Sequence, residues 1–182
     1  MRDIENVHHS SYNTPMTPSS TPPSFPDTFR IMTTPAPRRY TRQADLYAVH
    51  GPLPSQLRPD IEYTIEEDVL TICRGALPPS ADLPGTVMLT PVYRLEPHGP
   101  LAVPTSRIYV RAKEGTSLED HRTQLANLGY AIVEVPAYAP HTAWVQATTR
   151  DVGTSLQHFE QLTTLPDVEH VEPELLMKRS QR

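Results

Sequence analysis

Apolar and polar positions alternate through Arg107–Lys113, with Ile108, Val110 and Ala112 on one side and Tyr109 and Arg111 on the other. Period two over that length predicts a half-buried strand. The period then lengthens. Leu118, Leu125 and Leu128 fall on one stripe of a helix, opened by a capping box of Thr116 and Glu119 and closed by Gly129. Tyr130–Val135 reads as a second strand, and Thr142–Thr149 as a third beyond the turn Pro136–Pro140. A second helix opens at Gly153 and turns Leu156, Phe159, Leu162 and Leu165 inward. Val168–Val171 is the fourth strand, and Pro173 is expected to end it, because proline cannot donate to a strand ladder.

The order is βαββαβ. Both helix starts read Gly-Thr-Ser-Leu, at Gly115–Leu118 and Gly153–Leu156, which marks two similar βαβ halves. Residues 104–182 are therefore expected to form a ferredoxin-like sandwich of the α+β class, with both helices on one face of a four-stranded antiparallel sheet. The other face is left open and carries Tyr109, Arg111, Trp144, Gln146 and Thr148. Such a face is either a docking surface or simply a solvated one.

Upstream the runs are shorter. Asp45–His50, Ile61–Glu66, Val69–Arg74, Thr86–Thr90 and Val92–Leu95 are apolar or β-branched and are cut by turn residues, Pro91 and Glu96–Pro100 among them. Residues 44–103 are expected to form a small β-rich module or a set of hairpins. Residues 1–42 are dense in Ser, Thr and Pro, too poor in apolar side chains to offset ordering entropy, and read as a disordered tail. The basic cluster Arg38, Arg39 and Arg42 at its end is either a solvated linker or a contact for an acidic partner.

Composition agrees with a chain only partly in a core: 182 residues include 21 prolines and 7 glycines, and 37% are hydrophobic. A net charge of −5 argues against nucleic acid as a partner. No apolar run approaches the roughly 20 residues needed to span a bilayer, and the first residues lack the apolar centre of a secretory signal. The expectation is a cytoplasmic protein without membrane contact. Cys73 is the one cysteine and reads as a small core residue, so no disulfide framework is expected. Glu66, Glu67 and Asp68 read as a charged turn with no His or Cys at ligand spacing, which points away from a metal site. His8 and His9 fall in the tail, and His121, His158 and His170 read as surface or edge residues. No Ser-His-Asp or metal constellation can be assembled, and neither enzyme activity nor a cofactor is expected.

Three stretches carry a family resemblance: the first strand running into Lys113–Gly115, the Leu128–Gly129 ending of the first helix, and the close Leu165-Pro-Asp-Val-Glu-His-Val-Glu-Pro173. Together they resemble the subtilase propeptide, the inhibitor-like prodomain of subtilisin-type serine proteases, over residues 104–182. The resemblance implies that Tyr109, Arg111, Trp144 and Gln146 pack on two surface helices of such a protease. It implies that Glu169, Glu172 and Glu174 cap the N-termini of those helices. Met177, Lys178, Arg179, Ser180, Gln181 and Arg182 would then lie in the active-site cleft as an added strand. By strand register this tail is about two residues longer than usual, which leaves Ser180 and Arg182 as alternatives for the primary pocket. No protease sequence follows Arg182, so the expected function is that of a free-standing, propeptide-like inhibitor or folding chaperone acting in trans. The alternative is a non-catalytic adaptor that holds a partner on the open sheet face.

Overall fold

The computed structural model describes residues 24–32, 36–54, 60–66, 69–79 and 87–178. Period-two burial builds most of it. Five strands come first: β1 (Thr28–Ile31), β2 (Arg38–His50), β3 (Asp60–Glu66), β4 (Leu70–Arg74) and β5 (Met88–Leu95). β6 (Leu101–Ala112) leads through a 3-10 turn, Leu118–His121, into α1 (Arg122–Asn127). β7 (Tyr130–Glu134) and β8 (Thr142–Ala147) follow, then α2 (Val152–His158), a 3-10 turn Phe159–Thr164, and β9 (Val168–Met177). The fold is mixed but sheet-dominated, with nine antiparallel strands and two short helices among the described residues. No helix among them is long and apolar enough to cross a membrane.

β6 organises the sheet. One of its edges pairs with β9 from Ala102 to Ala112. Its other edge must then take both β5, at Leu101 and Ala102, and β8, at Arg107–Arg111. With β7 on β8, the C-terminal half has the neighbour order β9-β6-β8-β7. The inward residues of these strands, Ile108, Val110, Ala143, Val145 and Val171, meet Leu118, Leu125, Leu156, Phe159 and Leu162 from the helical segments. The face with Tyr109 and Trp144 points away from that core.

Several expectations change. Residues 28–31 and 38–42 are strand, where the tail was expected to be disordered; residues 1–23 and 33–35 of that tail lie outside the described residues. Phe29 stacks on Tyr40 at 5.0 Å and meets Tyr93 edge-on at 4.9 Å and Phe159 at 6.2 Å. Four aromatic rings buried together outweigh the ordering cost that proline-rich composition suggests. The boundary expected at 103/104 falls inside β6, and Phe29, Ile31, Tyr40, Tyr93 and Ala102 share one core with the helices. The rest of the β-rich part closes two clusters of its own: Leu46, Ala48, Leu70, Ile72, Val92 and Val103 meet Leu176 of β9, and Tyr47, Val49, Cys73 and Leu89 form the other.

Proline does not stop these strands. β5 runs through Pro91, which lies opposite Tyr47 where the β2–β5 register shifts. β9 runs through Pro173 to Met177, and the β6–β9 register shifts between Pro104 and Ile108, whose partners are Leu175 and Pro173. At an irregularity the ladder lacks a bond in any case, so a missing N–H costs little there. The first helix also differs. Its 3-10 start is preceded by Ser117 as N-cap with no side-chain bond, and Glu119 pairs with Arg122 instead of closing a box with Thr116. α2 is capped by Asp151, whose carboxylate accepts from the Thr154 N–H at 2.6 Å, with Gly153 in the first turn. A Cβ on Gly153 would come 2.8 Å from the Ser24 carbonyl oxygen, so this glycine lets the segment before β1 lie against α2. His121, expected at the surface, is 7% exposed: three residues after Leu118, it shares that residue's inward side.

Candidate functional site

The alternation of β6 sets the open face. With Ile108, Val110 and Ala112 buried, Arg107, Tyr109 and Arg111 point the other way. Register then selects their neighbours. On one side Tyr109 lies opposite Trp144, Arg107 opposite Gln146 and Arg111 opposite Thr142. On the other, Tyr109 lies opposite Glu172 and Arg111 opposite His170. Tyr109 and Trp144 meet edge to face, 5.3 Å between ring centroids, and the His170 ring lies 6.0 Å from Tyr109. The Arg107 guanidinium sits 4.6 Å over the Trp144 ring and pairs with Glu134 of β7 at 2.9 Å. Gln146 donates to the Ser106 hydroxyl. The four residues expected on this face are thus brought together: Tyr109, Trp144 and Gln146 half-buried, Arg111 exposed.

The three glutamates separate. Glu169 is exposed. Glu172 takes Arg38 of β2 at 2.6 Å through one oxygen and His170 at 3.1 Å through the other. Glu174 accepts from the Thr105 hydroxyl at 2.6 Å. Between the aromatic pair and β9 lies a shallow depression of about 280 Å³, lined by Tyr109, Trp144, Glu172, Pro173, Glu174 and Leu175.

Of the residues expected in a cleft-binding tail, the structure places Met177 and Lys178. Met177 pairs with Ala102 and packs on the main core. The Lys178 ammonium lies 5.1 Å from the Tyr63 ring centroid. Arg179, Ser180, Gln181 and Arg182 lie outside the described residues.

Arg107, His170 and Glu134 belong to the face but were not assigned to it. The period that selects Tyr109 also selects Arg107, and counting back from buried Val171 selects His170. Glu134 carries no such signal, because the β7–β8 register shifts between Ile132 and Glu134. Elsewhere, the Ser155 hydroxyl donates to the Ser106 carbonyl at 3.1 Å. His50 Nε2 lies 2.9 Å from the Thr90 hydroxyl, and burial pushes this imidazole down to about 4, so it stays neutral. Cys73 is buried beside Tyr47, and burial raises both the thiol and the phenol. No group of three or more His, Cys, Asp or Glu among the described residues is arranged to hold a metal ion. No family model, curated protein or solved structure matches the chain.

Proposed function

We propose that the chain is a non-catalytic, propeptide-like binding protein for a subtilisin-type serine protease, acting in trans through the open face of β9-β6-β8-β7. That neighbour order is the one expected of a ferredoxin-like sandwich, and we read residues 101–177 as such a unit. The observation that carries the reading is the uncovered Tyr109–Trp144 pair, steadied by Arg107 and lying beside the last strand. Aromatic side chains on an uncovered, ordered surface are what dominate the energetics of protein docking. In this reading two surface helices of the protease pack on the face. Exposed Glu169 meets a helix N-terminus, where orphan N–H groups favour a carboxylate. Glu172 and Glu174 lie on the same face and are held there by Arg38 and Thr105 within the fold. The segment from Arg179 to Arg182 enters the cleft as an added strand, with main-chain pairing supplying affinity. Preferential binding to the folded protease stabilises that state, which is the physical basis of a chaperone role.

A second reading, an adaptor that uses the same face without entering a cleft, is favoured by Met177 and Lys178 being part of the fold. The two part at the chain's end. Inhibition of a panel of subtilisin-type proteases is measured with the intact chain and with a chain ending at Lys178. The inhibitor reading expects inhibition by the first and at least tenfold weaker inhibition by the second, since each tenfold step is about 1.4 kcal/mol of lost pairing. Equal inhibition by both would remove the tail from the mechanism, and inhibition by neither would leave the adaptor.

A further inference from the structure

We propose that the depression beside the Tyr109–Trp144 pair is a subsite for one cationic side chain, a lysine or arginine presented by the partner; this rests on the docking reading above. Its volume of about 280 Å³ falls below the roughly 300–1,000 Å³ of small-molecule pockets, which suits a single side chain. Its walls differ in kind. Pro173 and Leu175 offer an apolar surface for a methylene stem, and Tyr109 and Trp144 offer aromatic rings. Two carboxylates complete it, each fixed by groups outside the depression. Glu172 is balanced by Arg38 at 2.6 Å and met by His170 at 3.1 Å. Glu174 is oriented by the Thr105 hydroxyl through Oε2, a neutral donor that brings no charge of its own.

Covering Glu174 with an apolar side chain would strip its water without replacing it, and an acidic one would add repulsion. A cation answers the charge and gains the aromatic surface as well. The described residues already use this pairing, with Arg107 over Trp144 at 4.6 Å and Lys178 over Tyr63 at 5.1 Å.

Trp144 is the sole tryptophan, so its indole N–H signal in a nitrogen-15 NMR spectrum reports on this site without ambiguity. The intact chain is titrated with acetyl-lysine methylamide, and separately with the norleucine and glutamate analogues. The expected result is a saturable shift of the Trp144 indole with the lysine compound alone, weakened about fivefold by Glu174→Gln. A lysine compound that leaves the indole unmoved, a norleucine analogue that shifts it equally, or an unchanged affinity in Glu174→Gln would each overturn the subsite. Failure of the docking reading shows elsewhere: protease binding would then survive loss of Tyr109 and Trp144, whatever the titration gives.

Discussion

At the scale of single residues, His50 is the group whose protonation the fold opposes most plainly. Its imidazole lies beside the Thr90 hydroxyl, and burial lowers it from the usual 6.5 to about 4. Between those values an unfolded chain takes up a proton that the folded one refuses. Stability is therefore complete above about pH 6.5 and is lost as pH falls toward 4, by roughly 3 kcal/mol at most. Urea unfolding followed from pH 7 to pH 4 is expected to lose that increment in the native chain and to keep it in His50→Gln, which cannot titrate. An identical pH dependence in both would assign the acid sensitivity to other groups. Residues of the open face were legible to the extent that they obey period two: Tyr109, Arg111, Trp144 and Gln146 follow from alternation alone. The groups that hold the face were not. Arg38 reaches Glu172 across 134 positions and Thr105 reaches Glu174 across 69, and no local pattern encodes a pairing of that span.

Among the elements, β9 departs furthest from its reading. Its last four residues, Glu174–Met177, hold the end of the sheet: Leu175, Leu176 and Met177 pair with Pro104, Val103 and Ala102, and all three are partly buried. A chain ending at Pro173 forfeits this packing, at about 1 kcal/mol per side chain, or roughly 3 kcal/mol in all. A chain ending at Lys178 is expected to melt with the intact protein. Thermal unfolding by circular dichroism distinguishes the two, and equal melting temperatures for all three chains would contradict the register. β7, β8 and both helical segments could be read from the sequence because each has one buried face and a clear stop, such as Gly129 at φ 82°. β5 and β9 could not be read to their full length. Pro91 and Pro173 signal termination locally, while their tolerance depends on a register shift in the partner strand. β1 was missed because its apolar content is only Phe29 and Ile31, whose value lies in Tyr40, Tyr93 and Phe159 far along the chain.

For the whole molecule, the shared core makes the two halves interdependent. Phe29, Ile31, Tyr40 and Tyr93 lie in one cluster with Leu156, Phe159 and Leu162. Removing residues 1–103 would uncover surface worth roughly 6–10 kcal/mol, comparable with the entire stability of a domain. The isolated 104–182 fragment is therefore expected to lack cooperative thermal unfolding and amide dispersion by NMR. A fragment that folds cooperatively would show that the upstream strands are an accessory to an independent unit. The docking account stands or falls with the open face that this core positions. Its direct test is calorimetric binding of subtilisin-type proteases, inactivated by replacing the nucleophilic serine with alanine so that the cleft stays open, to the intact chain and to a Tyr109→Ala, Trp144→Ala double variant. The account predicts a saturable complex with the intact chain, weakened at least thirtyfold, about 2 kcal/mol, in a double variant whose melting temperature is nearly unchanged. Equal binding by both chains, or none by a correctly folded intact chain, would contradict it.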